Sequence, residues 1–291
     1  MKKEVSFSSQ GQRADIGDII IYRILPNWYA KSVGPFVFLD HIAPTFHAPD
    51  KPLMKNGTGA HPHRGIATLT YLLHGEGEHF DSAGHHAKVS SGGIQWMKAG
   101  NGIIHDENLN VDSQAGNRLT HGLQFWINLS SKAKAESPDY LAVQAEEVPQ
   151  KLLDDGAGWL KVIAGSYENL VSRIPSYTDQ FLYHVHLEVG KTLSIETKDG
   201  QEYAAFLLES YGNINDTAFN AGDFIEFGRK EGSIEISSSA EATMDLILFG
   251  GEKYMEPIVS EGPFVMNSRD EIVQAYRDFF NGKYGQIVYN N

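Results

Sequence analysis

The distribution of apolar and polar positions along the chain predicts strands far more often than helices. Thr68-Leu69-Thr70-Tyr71-Leu72-Leu73 is rich in β-branched and aromatic residues and stops at Gly75 and Gly77, which favour turns. Ile94-Gln95-Trp96-Met97 lies between the turn signals Ser90-Ser91-Gly92-Gly93 and Gly100-Asn101-Gly102. Gly122-Leu123-Gln124-Phe125-Trp126-Ile127-Asn128-Leu129 is a third strand, and Ala83-Gly84 marks another turn. Short strands punctuated by glycine predict a sandwich or barrel rather than alternating βα units. The polar stretch from Ser130 to Pro138 reads as a linker, and a second strand-rich block follows over about residues 160–250. A helix is expected near the end, with Asn267-Ser268 as its cap region, Arg269 to Phe280 as its body and Gly282 as its stop.

Composition narrows the class. The 291 residues allow one large domain or two of ordinary size. At 41% hydrophobic and 21% charged, the balance is that of a soluble globular protein. No stretch approaches the ~18 consecutive apolar residues of a membrane helix, and Met1-Lys2-Lys3-Glu4-Val5 is not followed by a signal-peptide core. The lack of cysteine excludes disulfides, iron–sulfur clusters and thiol catalysis, and a cytoplasmic location is the simplest reading. Against 37 acidic residues stand 24 basic ones, a net charge of −13 with no Lys/Arg run. A field of that sign opposes contact with phosphate backbones, so neither nucleic acid nor membrane is an expected partner.

The candidate chemistry sits in two short runs, His61-Pro62-His63 and His105-Asp106-Glu107. Alternate residues of a strand point to one face, so His61 and His63 aim together, as do His105 and Glu107. Two such pairs on facing strands give a site of three imidazoles and one carboxylate. Without thiolates it favours a borderline or harder divalent ion. Four protein donors on an ion that prefers five or six leave room for water, oxygen or substrate. Such a site can bring an enol or catechol-type oxygen and dioxygen together, with Glu107 swinging to take the hydroxyl proton.

The other histidines have blander readings. His184 and His186 share the i, i+2 spacing but have no partner histidine in their block, and a structural role is expected. His74, His79, His85 and His86 lie in or beside turns and are expected to be solvated, while His47 and His121 satisfy local hydrogen bonds. Trp96, Phe125 and Trp126 are assigned to core or barrel wall. Gln124, alternating with Leu123 and Phe125, faces inward as an acceptor for the outer nitrogen of a ligand histidine.

The two blocks read as a diverged repeat, Tyr203 to Gly212 mirroring Ala67 to Gly75 and Gly222 to Phe227 mirroring Gly92 to Met97. Carried back to the candidate ligands, these offsets reach Lys198 and Gly200 for the first pair and Glu235 and Ser237 for the second. Those residues cannot rebuild the site, so the second block is expected to hold no equivalent metal.

His61-Pro62-His63-Arg64-Gly65, Gln95-Trp96-Met97, Ala99-Gly100-Asn101-Gly102-Ile103-Ile104-His105 and Gly262-Pro263-Phe264-Val265-Met266-Asn267 together resemble the pirin family of the cupin superfamily, over nearly the whole chain. The resemblance implies an all-β bicupin, two jelly-roll barrels with a short C-terminal helix. The division expected is a metal-binding domain over residues 1–135 and a metal-free cupin-like domain over residues 150–291 that includes the helix. It implies one metal ion per chain on His61, His63, His105 and Glu107, Fe(II) first, with Mn, Co, Ni, Cu or Zn as alternatives. The implied activity is quercetin 2,3-dioxygenase, with a small aromatic substrate and dioxygen as reactants and carbon monoxide released on ring opening. The alternative is an iron-dependent, redox-sensing regulator that binds a transcription factor or metabolic enzyme, for which the acidic balance suits a basic protein partner. The chain departs from the family's usual pattern at Asp106 (serine), Ala67 (often acidic), Ser90 to Gly93 (Arg-Pro-Gly-Asp) and His85-His86, changes that bear on substrate preference more than on metal binding.

Overall fold

The computed structural model describes residues 1–17, 19–49 and 59–289, and antiparallel strands dominate them. Two compact units emerge. The first comprises Arg13–Arg23, Phe36–Glu147 and Met255–Asn291; the second comprises Met1–Gln12, Ile24–Pro35 and Val148–Tyr254.

In the first unit a large sheet contains five neighbouring strands in the order Asp139–Val143, Ile94–Lys98, Ile66–His74, Leu119–Asn128 and Phe36–Phe46. A four-stranded sheet runs His61–His63, Ile103–Asn110, Glu76–Asp81 and His86–Val89. The expected strands are present, each one to three residues longer than the apolar run that announced it. Ile66–His74 is buried on both faces over most of its length, which explains its unbroken apolar character.

The second unit repeats the plan. Its seven-stranded sheet runs Val5–Gln10, Asp223–Phe227, Gln201–Glu209, Met244–Glu252, Gln180–Leu187, Gly158–Ala164 and Gln150–Leu152. Its four-stranded sheet runs Thr192–Glu196, Ser233–Ser238, Tyr211–Ile214 and Thr217–Asn220. Asp223–Phe227 and Gln201–Glu209 hold the same second and third places as Ile94–Lys98 and Ile66–His74, as the repeat predicts. The chain is therefore an all-β bicupin with a small C-terminal helix.

The helix spans Arg269–Phe280, and its start is set by a capping box: Ser268 accepts from the Glu271 backbone while Glu271 accepts from the Ser268 backbone. No helix among the described residues is long and apolar enough to cross a membrane.

Two expectations need redrawing. The units are not cut at 135 and 150. Met1–Gln12 belongs with the second because Val5–Gln10 pairs with Asp223–Phe227. Met255–Asn291, helix included, belongs with the first because Val265 donates its N–H to Arg64 O and the Arg64 guanidinium pairs with Asp278 at 2.8 Å. The polar stretch from Ser130 to Pro138 is more than a linker. Ser131–Lys134 forms a helical turn, and the buried Lys134 ammonium donates to Gly65 O, Val265 O and Asn128 Oδ1 at 3.0, 2.6 and 2.6 Å.

Candidate metal centre

Strand register builds the site. Within the four-stranded sheet, His105 stands opposite His61, Ile103 opposite His63, and Glu107 opposite His79. Alternation turns His61, His63, His105 and Glu107 to one face of the sheet and Pro62, Ile104 and Asp106 to the other. The rings of His61, His63 and His105 gather with centroids 4.5–5.0 Å apart, and His61 Nε2 lies 3.1 Å from His105 Nε2.

The outer nitrogens of two rings are already engaged. His61 Nδ1 donates to Gly59 O at 2.8 Å and His63 Nδ1 donates to Pro263 O at 3.0 Å. Those bonds fix the tautomer and leave each Nε2 as a lone pair, the arrangement of a ligating imidazole. Burial holds His63 down at about 3, with His61 adding to the effect. Burial likewise puts His105 well below the ordinary imidazole value, its three histidine neighbours adding to it. Both rings are therefore neutral donors at neutral pH, and a cation need displace no proton from them. Two donors held about 2.1 Å from one ion at a right angle stand about 3.0 Å apart, close to the separation of the facing Nε2 atoms. The donor set fits a divalent metal.

Glu107 is placed differently from the three histidines. The triad His61, His63 and His105 forms one tight group of candidate ligand atoms, and His79, His105 and Glu107 form a second. One Glu107 oxygen accepts from Gln124 Nε2 at 3.1 Å; the other lies 3.9 Å from His79 Nδ1. Gln124 thus works as a donor to the carboxylate, and also reaches Thr70 Oγ1 at 3.4 Å, instead of accepting from a histidine.

His79 was not legible as a site residue. It is fully buried, not solvated, with its ring stacked on Tyr140 at 4.1 Å between centroids and Nε2 donating to Asp81 Oδ2 at 3.0 Å. Burial pulls its pKa down, but Asp81 and Glu107 together outweigh it and leave the imidazole above its ordinary value. The signal available was alternation: Gly77, His79 and Asp81 are the buried positions of the Glu76–Asp81 strand.

The remaining histidines divide. His85 is half-buried on Asp81 at 2.8 Å and His86 exposed on Glu78 at 2.8 Å. His74 meets Asn117, and His47 meets Thr120. His121 is buried, its Nε2 2.8 Å from His41 Nε2. In the second unit Asp245 bridges His184 and His186 at 3.0 Å each, beneath the Trp159 ring. Trp96 and Phe125 are buried core, and Trp126 lies edge-on to His63 at 4.9 Å. Asp106 points away from the histidines as expected, accepting from Gly59 N and Tyr289 OH. It thereby steadies the residue whose carbonyl holds His61.

A cavity of about 110 Å³ opens beside the site. His61, Glu107, Thr70, Gln95, Asn108 and Gln124 are among its polar lining residues. Ile16, Ile19, Ile21, Ile42, Leu72 and Leu109 supply an apolar wall. Asp40 also lines it, its charge answered by the Arg23 guanidinium. A largely apolar cavity that also presents two metal-competent side chains suits a ligand with apolar surface and a chelating oxygen.

Comparison with known proteins agrees with this architecture. The family model Pirin matches residues 20–127, and the Pirin C-terminal cupin domain matches residues 182–285. A Pseudomonas aeruginosa protein named "putative quercetin 2,3-dioxygenase" is 32% identical over 286 residues, covering 98% of this chain and 99% of its own. Homo sapiens pirin is 32% identical over 262 residues, 88% of this chain and 84% of its own. The crystal structure of quercetin 2,3-dioxygenase from Acinetobacter baumannii superposes with a TM-score of 0.88 at 30% identity, covering 99% of this chain and all of that one.

Proposed function

The chain belongs to the pirin family, and we propose that it is a metal-dependent dioxygenase that opens the ring of a flavonol such as quercetin, at one ion held by His61, His63, His105 and Glu107. The observation that carries this reading is the cavity lined by both His61 and Glu107 and by six isoleucine and leucine side chains. A divalent ion bound there, Fe(II) in the first instance, supplies Lewis acidity toward an enol oxygen and redox access to dioxygen. The residues do the rest. The isoleucine wall takes the aromatic rings out of water and holds them flat. Glu107 accepts the substrate hydroxyl proton on a carboxylate oxygen, and Gln124 keeps that carboxylate turned toward the cavity.

Elemental analysis of purified protein, followed by oxygen uptake with quercetin after loading with Fe(II), Mn(II), Co(II) or Ni(II), tests the proposal. Glu107→Gln is expected to keep most of the metal on three imidazoles while turnover falls by about 10²-fold, the scale of a lost general base. His105→Ala should lose metal and activity together. Full turnover in Glu107→Gln removes the base role. Iron-loaded wild-type protein that consumes no oxygen with any flavonol would hand the site to the iron-sensing, partner-binding reading.

A further inference from the structure

Glu107 is approached from two sides. Gln124 donates to one carboxylate oxygen, and the other faces His79 Nδ1 at 3.9 Å from the directly opposed position on the neighbouring strand. The His79 ring has almost no freedom of its own. It is wholly buried, its plane lies within 11° of Tyr140's at 4.1 Å, and its Nε2 is committed to Asp81 at 3.0 Å.

Asp81 is fixed in turn by the backbone that follows it. Its Oδ1 accepts the N–H groups of Ala83 and His85, at 2.9 and 3.0 Å, in the turn that Gly84 closes at φ +92°. Its Oδ2 also accepts from His85 Nδ1 at 2.8 Å. A rigid turn thus holds a carboxylate, the carboxylate holds an imidazole, and the imidazole's second nitrogen is left over. His79 Nδ1 is buried and makes no hydrogen bond among the described residues, with the Glu107 carboxylate in ion-pair range. Buried nitrogens are seldom left without a task.

We propose that His79 is the positioning residue for Glu107: anchored by Asp81 and clamped by Tyr140, it sets where the carboxylate stands between the three-histidine group and the cavity. This rests on the reading of Glu107 as a metal ligand. His79 touches neither substrate nor ion; it acts through Glu107 alone, as partners beyond the ligand shell do when they orient a ligand.

The test is a double-mutant cycle read by Co(II) binding, in which affinity comes from competition with a chelator and geometry from the visible absorption of bound Co(II). His79→Phe keeps a ring on Tyr140 and removes both nitrogens. It should weaken Co(II) binding by about 10-fold to 100-fold and change the absorption band. In a Glu107→Gln background the same change should alter affinity by less than about twofold, because the group being positioned is gone. His79→Asn, whose amide nitrogen can stand near Nδ1, should recover part of the loss. If His79→Phe fails to fold, by circular dichroism, the cycle is run with His79→Asn and Asp81→Asn. Equal losses in both backgrounds, or wild-type affinity and spectrum in the variants, overturn the positioning role. Wild-type protein that binds no Co(II) overturns the metal reading itself, a different failure.

Discussion

At Gly65 the backbone adopts φ +84°, and a Cβ there would lie 1.9 Å from Val265 O. The glycine of the His61–Gly65 motif is thus required twice over, by a left-handed turn and by the approach of a second chain segment. Gly65→Ala is expected to destabilise the protein by on the order of 3 kcal/mol or more, combining backbone strain with a contact that cannot relax. A thermal melt should show the midpoint fall, and metal content should fall with it because Val265 belongs to the segment that carries Pro263 O to His63. An unchanged midpoint would mean that this turn does not set the site. At this scale the i, i+2 pairs of His61, His63, His105 and Glu107 were legible because strand alternation alone aims them together. His79 and Asp81 obey the same alternation, yet glycines on both sides of them suggested a solvated hairpin. What the neighbourhood of His79 in sequence does not contain is the Tyr140 ring, brought in by a strand some sixty residues on and stacked on His79.

Elements were legible where their signals are local. Asn267, Ser268 and Gly282 bracket the helix because caps and stops are written within a few residues. The stretch from Ser130 to Pro138 was misread because the carbonyls that receive Lys134 come from Gly65 and Val265, far apart in sequence. Attachment of the C-terminal helix is likewise long-range. Lys283 and then Arg64 hold the Asp278 carboxyl down at about 2, well below the value of about 3.9 it has in an unfolded chain. A depressed acid contributes stability that is present above the unfolded pKa and is lost as pH falls through the folded one. Acidification from about 4 to about 2 should therefore release Arg64 and loosen the helix before the sheets open. Hydrogen exchange of the Arg269–Phe280 amides against those of Ile66–His74 would show it, and Asp278→Asn should remove the differential. Helix and strand amides losing protection together over that window would argue against the ion pair as the anchor.

Across the whole chain, the two units share one strand plan but fill it with opposite chemistry. In the first, the strands His61–His63 and Ile103–Asn110 present imidazoles and a carboxylate to the group built around the metal-competent nitrogens. In the second, the corresponding strands Thr192–Glu196 and Ser233–Ser238 turn Leu193, Ile195, Ile234 and Ile236 into an apolar core with Ile214 and Phe219. The offsets carried from the first block pointed to Lys198, Gly200, Glu235 and Ser237. Lys198 and Gly200 fall beyond the end of their strand, Glu235 is paired with Lys2, and Ser237 bonds Thr192. The repeat was legible because its strands carry the same apolar rhythm. The interior exchange of histidine for isoleucine was not, since a slip of one residue in register swaps the two faces of a strand. Hydrocarbon offers a cation nothing in place of its hydration, so metal content should be one ion per chain. The second unit's candidate donors, His184 and His186, are spanned by Asp245 on the face opposite that core, so His184→Ala with His186→Ala should leave the metal count unchanged. Two ions per chain by elemental analysis, falling to one in that double variant, would place a second metal on the Asp245 bridge.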